Sequence, residues 1–147
     1  MTAPRILALD FGQKLGWASN CGMRICGTMK LPAKKREAAY VHFLMQAVRH
    51  YRPEIIVYEN IPTIHIHASA AAAHWWGYYY HQMQYVCTGL GIRTVSVTPP
   101  ELKRFATGKG RAPKDVMIAA SKKYGFHPPD DNAADASLLL VFAEHLI

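Results

Sequence analysis

The chain has 147 residues, half of which are hydrophobic, and a formal net charge of +7. That length and composition suit a single domain, residues 1–147, with a substantial core. The positive charge points to a polyanionic partner, nucleic acid before an acidic membrane surface, although many basic proteins bind neither.

The cysteines and the apolar runs exclude other classes. Cys21, Cys26 and Cys87 are odd in number and form no C-x-x-C pair, which argues against a disulfide framework or a zinc knuckle. No apolar run approaches the length of a membrane span, and Asp10 interrupts the N-terminal one. We therefore expect a cytoplasmic protein without membrane contact, since a reducing cytoplasm suits three unpaired cysteines.

The first sixty residues predict several strands and one helix. Apolar runs separated by turn residues predict strands at 5–10, 15–20, 23–30 and 54–59. Before the last of these, apolar residues at helical spacing predict an amphipathic helix over 34–51, which Pro53 ends. A strand–helix–strand order after a meander implies an α/β fold with a mixed sheet and helices packed on it.

The rest of the chain is predicted to be mainly helical. Residues 61–67 look irregular, and the elements predicted after them are a helix over 68–88, a strand over 91–97, a short helix over 101–105, a helix from about 113 and a last helix over 132–146.

The helix over 68–88 has two different faces. Its core-like face carries Trp76, Tyr79, Tyr80, Met83, Val86 and Cys87. The opposite face carries an aromatic stripe of the kind used against a partner subunit or nucleotides, formed by His74, Tyr78, His81 and Tyr85. His67, His74 and His81 are spaced by about 10.5 Å along a helix, too far apart to share a metal ion.

Three carboxylates stand at the ends of apolar segments. Asp10 ends the first strand, Glu59 ends the fourth, and Asp135 shares a face of the last helix with leucines that pack on the sheet. A charge among apolar residues is costly unless something pairs with it, so these side chains are candidates for one shared site. Asp131 lies one turn before Asp135 and is a fourth candidate. Asp130 and Asp131 also suit helix capping, however, and Glu59 alone would suit an exposed strand end.

Carboxylates that converge repel one another and therefore require cations. Oxygen ligands select Mg²⁺ or Mn²⁺ over zinc, and in a basic protein the fitting chemistry is phosphodiester hydrolysis with two ions about 3.5–4 Å apart. Asp10 would bridge the two ions. Glu59 would hold one ion, and Asp135, with Asp131 or Asn132, would hold the other.

Most of the net charge lies in one segment. Between Glu101 and Gly125 there are seven basic residues and two acidic ones. The glycine-rich loop over 107–114 opens a helix there, and its glycines and the helix N-terminus favour contact with phosphate over a merely solvated face. The candidate nucleic-acid-binding residues are Lys14, Lys103, Lys109, Arg111 and Lys114.

Four motifs occur in the order seen in the RuvC family: Leu9-Asp10-Phe11-Gly12 with Gly16-Trp17-Ala18, then Val57-Tyr58-Glu59, the loop over 107–114, and Asp131-Asn132-Ala133-Ala134-Asp135-Ala136. Each motif is weak alone, but the ordered set is specific and covers nearly the full length. The chain therefore resembles a RuvC-type Holliday junction resolvase, a crossover junction endodeoxyribonuclease. The resemblance implies an RNase H-like fold with a mixed five-stranded sheet flanked by helices on both faces.

The resemblance also implies a homodimer that presents two active sites to a four-way junction and nicks strands of like polarity with Mg²⁺. The helix after Glu59 would form much of the dimer contact, which suits the stripe of His74, Tyr78, His81 and Tyr85. Lys103 and Lys109 match the family's basic positions near the scissile phosphate.

Two features depart from the family pattern. The family places an acid three residues before the last aspartate, where this chain has Asn132, so either Asp131 or Asn132 completes the metal site. The stretch over 61–76 is rich in histidine and alanine, which leaves open a looser selectivity that includes flaps and other branched DNA.

Three other classes of protein share part of this pattern. Asp-x-Gly also occurs in actin-like ATPases, but those need two lobes and this chain is too short for both. An inactive RNase H-like nucleic-acid-binding module would need at least one lost acid, and all three principal acids are present. A nuclease for ribosomal-RNA precursors or RNA–DNA hybrids shares the first motif, but the basic loop and the last helix favour the junction resolvase.

Overall fold

The computed structural model describes residues 2–61 and 69–147, and its centre is a five-stranded sheet. The strands are β1 Ile6–Asp10, β2 Lys14–Ser19, β3 Ile25–Lys30, β4 Ile55–Glu59 and β5 Arg93–Val97. Their spatial order is β3-β2-β1-β4-β5, in which β1, β4 and β5 are parallel and β2 and β3 are antiparallel to their neighbours. The predicted mixed sheet is confirmed.

Helices cover both faces of this sheet, as predicted. They are α1 Arg36–Tyr51, α2 Ala70–Leu90, α3 Pro99–Thr107, α4 Lys114–Lys123 and α5 Asp131–Leu146. One core cluster joins the sheet to α1 and α2, and a second joins the other face to α3, α4 and α5. Within the described ranges, no helix has both the length and the apolar composition needed to cross a bilayer.

Strand alternation decides which side chains meet α5. Ile6 and Ala8 of β1 and Val57 of β4 lie in the cluster with α5, whereas Leu7 and Leu9 lie in the cluster with α1 and α2. Side chains two residues apart share a face of a strand. The ends of β1 and β4 therefore project toward the α5 side.

Several element boundaries differ from the prediction by one or two residues, and capping explains two of these differences. Gly91, predicted to begin a strand, has φ of 69° and caps α2, so the helix continues to Leu90 and β5 begins at Arg93. The short helix begins at Pro99 rather than Glu101, because proline is well suited to the first helical position. Thr98 caps it, because its hydroxyl accepts from the Glu101 backbone N–H at 3.4 Å and donates to Glu101 Oε1 at 2.7 Å.

The two faces of α2 are largely as predicted. Tyr79, Met83 and Cys87 are buried, and the other predicted core residues of this helix are partly buried. Tyr78 is also partly buried, in contact with the ring of Tyr40, so it belongs to the core margin as well as to the stripe. Residues 62–68 lie outside the described ranges. The predicted irregular stretch over 61–67 therefore falls there apart from Ile61, and so does His67 with its predicted spacing.

Candidate active site

The four predicted acids lie at one edge of the sheet. Asp10 and Glu59 are the last residues of the neighbouring parallel strands β1 and β4, whose register pairs Leu9 with Tyr58 just before them. Asp131 and Asp135 are four residues apart in α5, so they share one face of its N-terminal half. All four side chains are partly buried.

Gly16 sets how closely α5 approaches Asp10. It is the register partner of Asp10 in the β1–β2 pair. A Cβ atom at Gly16 would overlap the Asn132 carbonyl group, with its carbon 2.6 Å away, and would lie 3.2 Å from Asp10 Cβ. The absence of a side chain at this position is therefore what allows the first turn of α5 to rest on β2 beside Asp10.

Asp130 fixes the N-terminus of α5 to the sheet. Its Oδ1 accepts hydrogen bonds from the Ala133 backbone N–H at 3.0 Å and from the Thr28 hydroxyl at 2.6 Å. Partial burial alone would raise its pKa, but the hydrogen bonds from Thr28, Ala133 and Asn132 lower it on balance. Asp130 therefore acts as the helix cap, and the predicted capping alternative applies to it rather than to Asp131.

Neither Gly16 nor Thr28 was assigned a role from the sequence. Thr28 is the register partner of Gly16, so Asp10, Gly16 and Thr28 form one row across β1, β2 and β3. A glycine inside a strand is itself a signal of close backbone approach. Thr28 carries no such signal, because its role depends on the pairing of β2 with β3.

The carboxylates interact with one another. Burial raises the pKa of Asp10 well above its usual range, and the charges of Glu59, Asp135 and Asp131 raise it further. Burial and the charge of Asp135 raise the pKa of Glu59 to about 7, against the opposing effect of Lys103. Burial and Asp131 raise the pKa of Asp135 to about 6. The site therefore concentrates more negative charge than its surroundings neutralise.

Two of the predicted lysines lie beside the acids. Lys103 of α3 is partly buried, and its charge lowers the pKa of both Glu59 and Asp135. The Lys114 Nζ lies 3.7 Å from Asp131 Oδ2, but its side chain is 82 % exposed, so this ion pair is weak. Both ammonium groups remain available to an approaching phosphate.

The donor set suits a hard cation. The four acids offer only carboxylate oxygens, which suit Mg²⁺ or Mn²⁺ rather than zinc. Among the residues that the structure describes, no three His, Cys, Asp or Glu side chains converge closely enough to form a ready-made metal cage. Mg²⁺ commonly uses one or two carboxylates and completes its shell with water and substrate phosphate. The acids fit that open kind of site.

The remaining predicted DNA contacts lie on two separate parts of the fold. Lys109 and Arg111 are exposed in the loop between α3, which carries Lys103, and α4, which begins at Lys114. Lys14 begins β2 and is exposed, and its register partner in β3 is Lys30. Sequence reasoning missed Lys30, because only the strand register brings it beside Lys14.

The aromatic stripe of α2 lies on the other side of the sheet. His74, His81 and Tyr85 are exposed, and Tyr85 is 80 % exposed. Tyr78 is shared between this stripe and the core, as described above. The stripe therefore offers a surface to a second molecule without taking part in the acid cluster.

No protein-family model and no curated protein matches the sequence. Solved structures do match it. The Thermus thermophilus RuvC structure has a TM-score of 0.72 at 18 % identity, covering 97 % of this chain and 95 % of that one. The T. thermophilus RuvC in complex with a Holliday junction substrate has a TM-score of 0.73 at 18 % identity, covering 97 % and 94 %.

A third solved structure shares the fold at lower similarity. The yeast mitochondrial Holliday junction resolvase Ydc2 has a TM-score of 0.58 at 9 % identity, covering 93 % of this chain and 76 % of that one. The three matches cover 93–97 % of this chain. The chain therefore has the RuvC fold, an α/β fold of the RNase H-like type.

Proposed function

We propose that the chain is a structure-selective endonuclease that resolves four-way DNA junctions by metal-dependent phosphodiester hydrolysis. The observation that carries this proposal is the meeting of Asp10, Glu59 and Asp135, from β1, β4 and α5, at one edge of a RuvC fold. One of the similar solved structures is described as bound to a Holliday junction substrate, which supports branched DNA as the partner.

Asp10 would hold both metal ions, because the charges of Glu59, Asp135 and Asp131 all act on it. Glu59 would hold one ion and Asp135 the other. For the fourth position we favour Asp131 over Asn132, since the charge of Asp131 acts on both Asp10 and Asp135. The backbone carbonyl of Asn132 instead packs directly against Gly16. When bound, two Mg²⁺ or Mn²⁺ ions supply an activated water and stabilise the leaving oxygen.

The protein's own groups would position the strand. Lys103 reaches the acid cluster from α3, and Lys114 reaches it from the start of α4, so a scissile phosphate at this edge meets two ammonium groups. Lys109 and Arg111 would hold the backbone beyond them, with Lys14 on the far side. These contacts fix the phosphate relative to the carboxylates, which is the main protein contribution to such a displacement.

Two paired nicks on one junction require two copies of the site. We therefore infer a homodimer that uses the exposed stripe of His74, His81 and Tyr85, with Tyr78 at its margin.

The test compares four substrates incubated with Mg²⁺: a four-way junction, a 5′ flap, a plain duplex and an RNA–DNA hybrid. Paired symmetric nicks confined to the junction are the expected result. Cleavage of flaps as well would mean a less selective branched-DNA nuclease, and cleavage of the hybrid alone would refute junction resolution.

Asp10→Asn provides the matched control for that test. It should abolish cleavage of the junction while junction binding survives, because binding depends on the basic residues and cleavage on the acids. Tight junction binding by the unaltered protein without any cleavage would indicate an inactive RNase H-like binding module instead.

A further inference from the structure

A cleft opens at the end of the sheet opposite the acids. Its volume is about 630 Å³, within the usual range of about 300–1,000 Å³ for ligand sites. The residues that line it come from the starts of β1, β4 and β5 and from the ends of α1 and α2. Because a strand rises about 3.3 Å per residue, the Cα atoms of Arg5 and Asp10 lie about 17 Å apart along β1. The cleft is therefore separate from the proposed cleavage site.

The cleft carries surplus positive charge. Three of the residues that line it are exposed arginines, Arg5, Arg49 and Arg52. Glu54 Oε2 lies 3.8 Å from the Arg5 guanidinium, but both side chains are half-exposed, so this ion pair is weak. Within residues 2–61 and 69–147, Arg49 and Arg52 form no ion pair. Their guanidinium groups can therefore accept an anion, and the planar fork of arginine suits a carboxylate.

The rest of the lining is aliphatic. Val48 and Pro53 are buried, and Ile92 is partly buried. Leu90, the last residue of α2, is 58 % exposed. Among the described residues that line the cleft, none is aromatic. The cleft therefore combines an aliphatic surface with cations.

Helix capping accounts for part of the arginine cluster. Cations are favourable near the C-terminus of a helix, and Arg49 lies in the last turn of α1. The Arg5 Nε donates to the Arg52 backbone carbonyl at 2.7 Å, which satisfies a carbonyl group at the same helix end. These roles explain why two of the three arginines are present without any ligand.

Arg52 is the residue that capping leaves unexplained. It ends α1 with φ of 46°, in the left-handed region that is strained for a residue with a Cβ atom. Glycine fills the same position after α2 and α3, at Gly91 and Gly108. The Arg52 backbone N–H donates to the Val48 carbonyl at 2.9 Å, and glycine would supply that bond equally well. The fold therefore does not need the exposed guanidinium that lines the cleft.

We propose that this cleft binds an acidic peptide segment of a partner protein. An aliphatic side chain of the peptide packs against Val48, Leu90 and Ile92, and neighbouring carboxylates pair with Arg49 and Arg52. Arginine beside a compact apolar surface is the composition typical of the energetically important centre of a protein interface. The proposal goes beyond junction cleavage and does not depend on it.

The composition of the cleft favours a peptide over nucleic acid. Sites for single strands combine basic residues with aromatic side chains on which bases stack, whereas this lining is aliphatic. The proposed phosphate contacts of the protein surround the acids, at the other end of β1. An aliphatic surface gives a nucleotide little to bind, but it suits a leucine or isoleucine side chain.

The experiment uses five fluorescein-labelled hexapeptides, each with four glutamates and one Leu-Leu pair at a different position. Binding to the 147-residue chain is measured by fluorescence anisotropy. We expect at least one peptide to bind at least about tenfold more tightly than its counterpart with glutamine in place of glutamate. Replacing its two leucines with serine should weaken binding by about tenfold as well.

Three variants test the site. Arg49→Ala and Arg52→Gly should each weaken binding of that peptide by about tenfold, and Leu90→Ser should also weaken it. Arg52→Gly should leave the melting temperature unchanged or higher, because glycine relieves the strained backbone. An arginine with a purely structural role would give the opposite result, a lower melting temperature with peptide binding intact.

Lys109→Ala is the matched control, because it removes a cation from the loop between α3 and α4 and should leave peptide binding unchanged. If it weakened binding as much as Arg52→Gly, the peptide would be adhering to positive charge in general and the proposal would be wrong. The proposal would also be wrong if no peptide bound more tightly than its glutamine counterpart.

Two further measurements identify other occupants of the cleft. Weaker junction binding by both Arg49→Ala and Arg52→Gly would assign the cleft to nucleic acid, and loss of self-association in ultracentrifugation would assign it to a second copy of the chain. Either result would overturn the peptide proposal. Neither would contradict junction cleavage, and a chain that cleaved no junction could still bind the peptide.

Discussion

Gly16 lies directly opposite Asp10 in the β1–β2 pairing, and the space that a side chain at Gly16 would occupy is filled by the backbone of Asn132 in α5. The distance between the sheet and the helix that carries Asp131 and Asp135 is therefore set by one missing methyl group. Thr28 continues the same row and binds the helix cap Asp130. The acids from different parts of the chain meet because this contact is so close.

Gly16→Ala is expected to separate the acids. The new Cβ would meet backbone atoms, which cannot rotate away as a flexible side chain could, so α5 has to shift. We expect a loss of about 1–3 kcal/mol in the free energy of unfolding, as is typical of overpacking. Cleavage should fall by about a hundredfold, since a displacement near 1 Å is enough for that. Urea unfolding and a junction-cleavage assay measure the two effects.

Gly89→Ala is the matched control for this substitution. A Cβ at Gly89 would meet nothing within 4 Å, and the residue lies inside α2. It should raise stability by about 0.5–1 kcal/mol, as expected for glycine in a helix, and leave cleavage unchanged. A stable Gly16→Ala protein with full activity would show that the spacing of α5 is not critical.

The stability of the metal-free protein should fall as pH rises. Burial and neighbouring charges raise the pKa of Glu59 to about 7 and of Asp135 to about 6 in the folded state. The folded protein therefore holds these protons more tightly than the unfolded chain, whose carboxyls titrate near about pH 4. Their destabilising effect is absent below about pH 4, grows up to about pH 7 and stays constant above it.

Urea unfolding in EDTA between pH 4.5 and 8 measures this slope, and Glu59→Gln should make it shallower. Glu54→Gln, at the opposite end of β4 where Glu54 accepts a bond from the Arg5 backbone, should keep the slope of the parent protein. If the two variants gave the same slope as each other, the charge repulsion assigned to the acid cluster would be wrong.

Mg²⁺ should relieve that repulsion and release protons as it binds. The carboxylates must be deprotonated to act as ligands, so binding near pH 6.5 displaces the protons that Glu59 and Asp135 hold. We expect Mg²⁺ to raise the melting temperature more at pH 7.5 than at pH 5. Calorimetry in two buffers of different ionisation enthalpy counts the protons. Asp10→Asn should abolish both responses, and a response that survives it would place the ion elsewhere.

Much of the acid cluster follows from short-range patterns. Asp10 and Glu59 each end an apolar run, and two residues that end neighbouring parallel strands lie at one edge whatever the details of packing. Asp135 could be placed because the leucines after it must face the sheet. These inferences use only the periods of strand and helix, which the sequence states directly.

Other features depend on register and packing, and no local pattern reveals them. The link between Thr28 and Asp130 spans more than a hundred residues of sequence and requires the pairing of β2 with β3. The partial burial of Tyr78 depends on where α1 places Tyr40.

The exposed stripe of α2 should mediate dimerisation. Tyr85 is 80 % exposed, and His81 lies one turn before it on the same face. A charge at the centre of such a surface would be buried without a partner in the dimer. We expect Tyr85→Glu to convert a dimer into a monomer, as measured by analytical ultracentrifugation. The monomer should stay folded and still unfold in a cooperative thermal transition.

Tyr124→Glu is the control for this variant, since Tyr124 is also partly exposed but lies on the opposite face of the sheet. It should leave the dimer intact. If Tyr85→Glu remained dimeric, the contact between subunits would have to lie on another surface.

Lys14 and Lys30 face each other across β2 and β3, and both are exposed. Like charges directly opposite one another in a sheet are destabilising. Phosphate bound between them would remove that cost. Lys30→Ala should therefore leave stability unchanged or slightly higher, weaken junction binding, and reduce the slope of log K against log salt by about 0.9.

Two comparisons make the Lys30 result decisive. Lys109→Ala, in the loop between α3 and α4, should reduce the salt slope by a similar amount, because each lysine neutralises about one phosphate. Arg49→Ala removes an exposed cation near the C-terminus of α1, at the opposite end of the sheet, and should leave the slope unchanged. If Lys30→Ala behaved like Arg49→Ala, DNA would contact only the α3–α4 side of the acids. The strand would then enter from the basic loop without crossing β2 and β3.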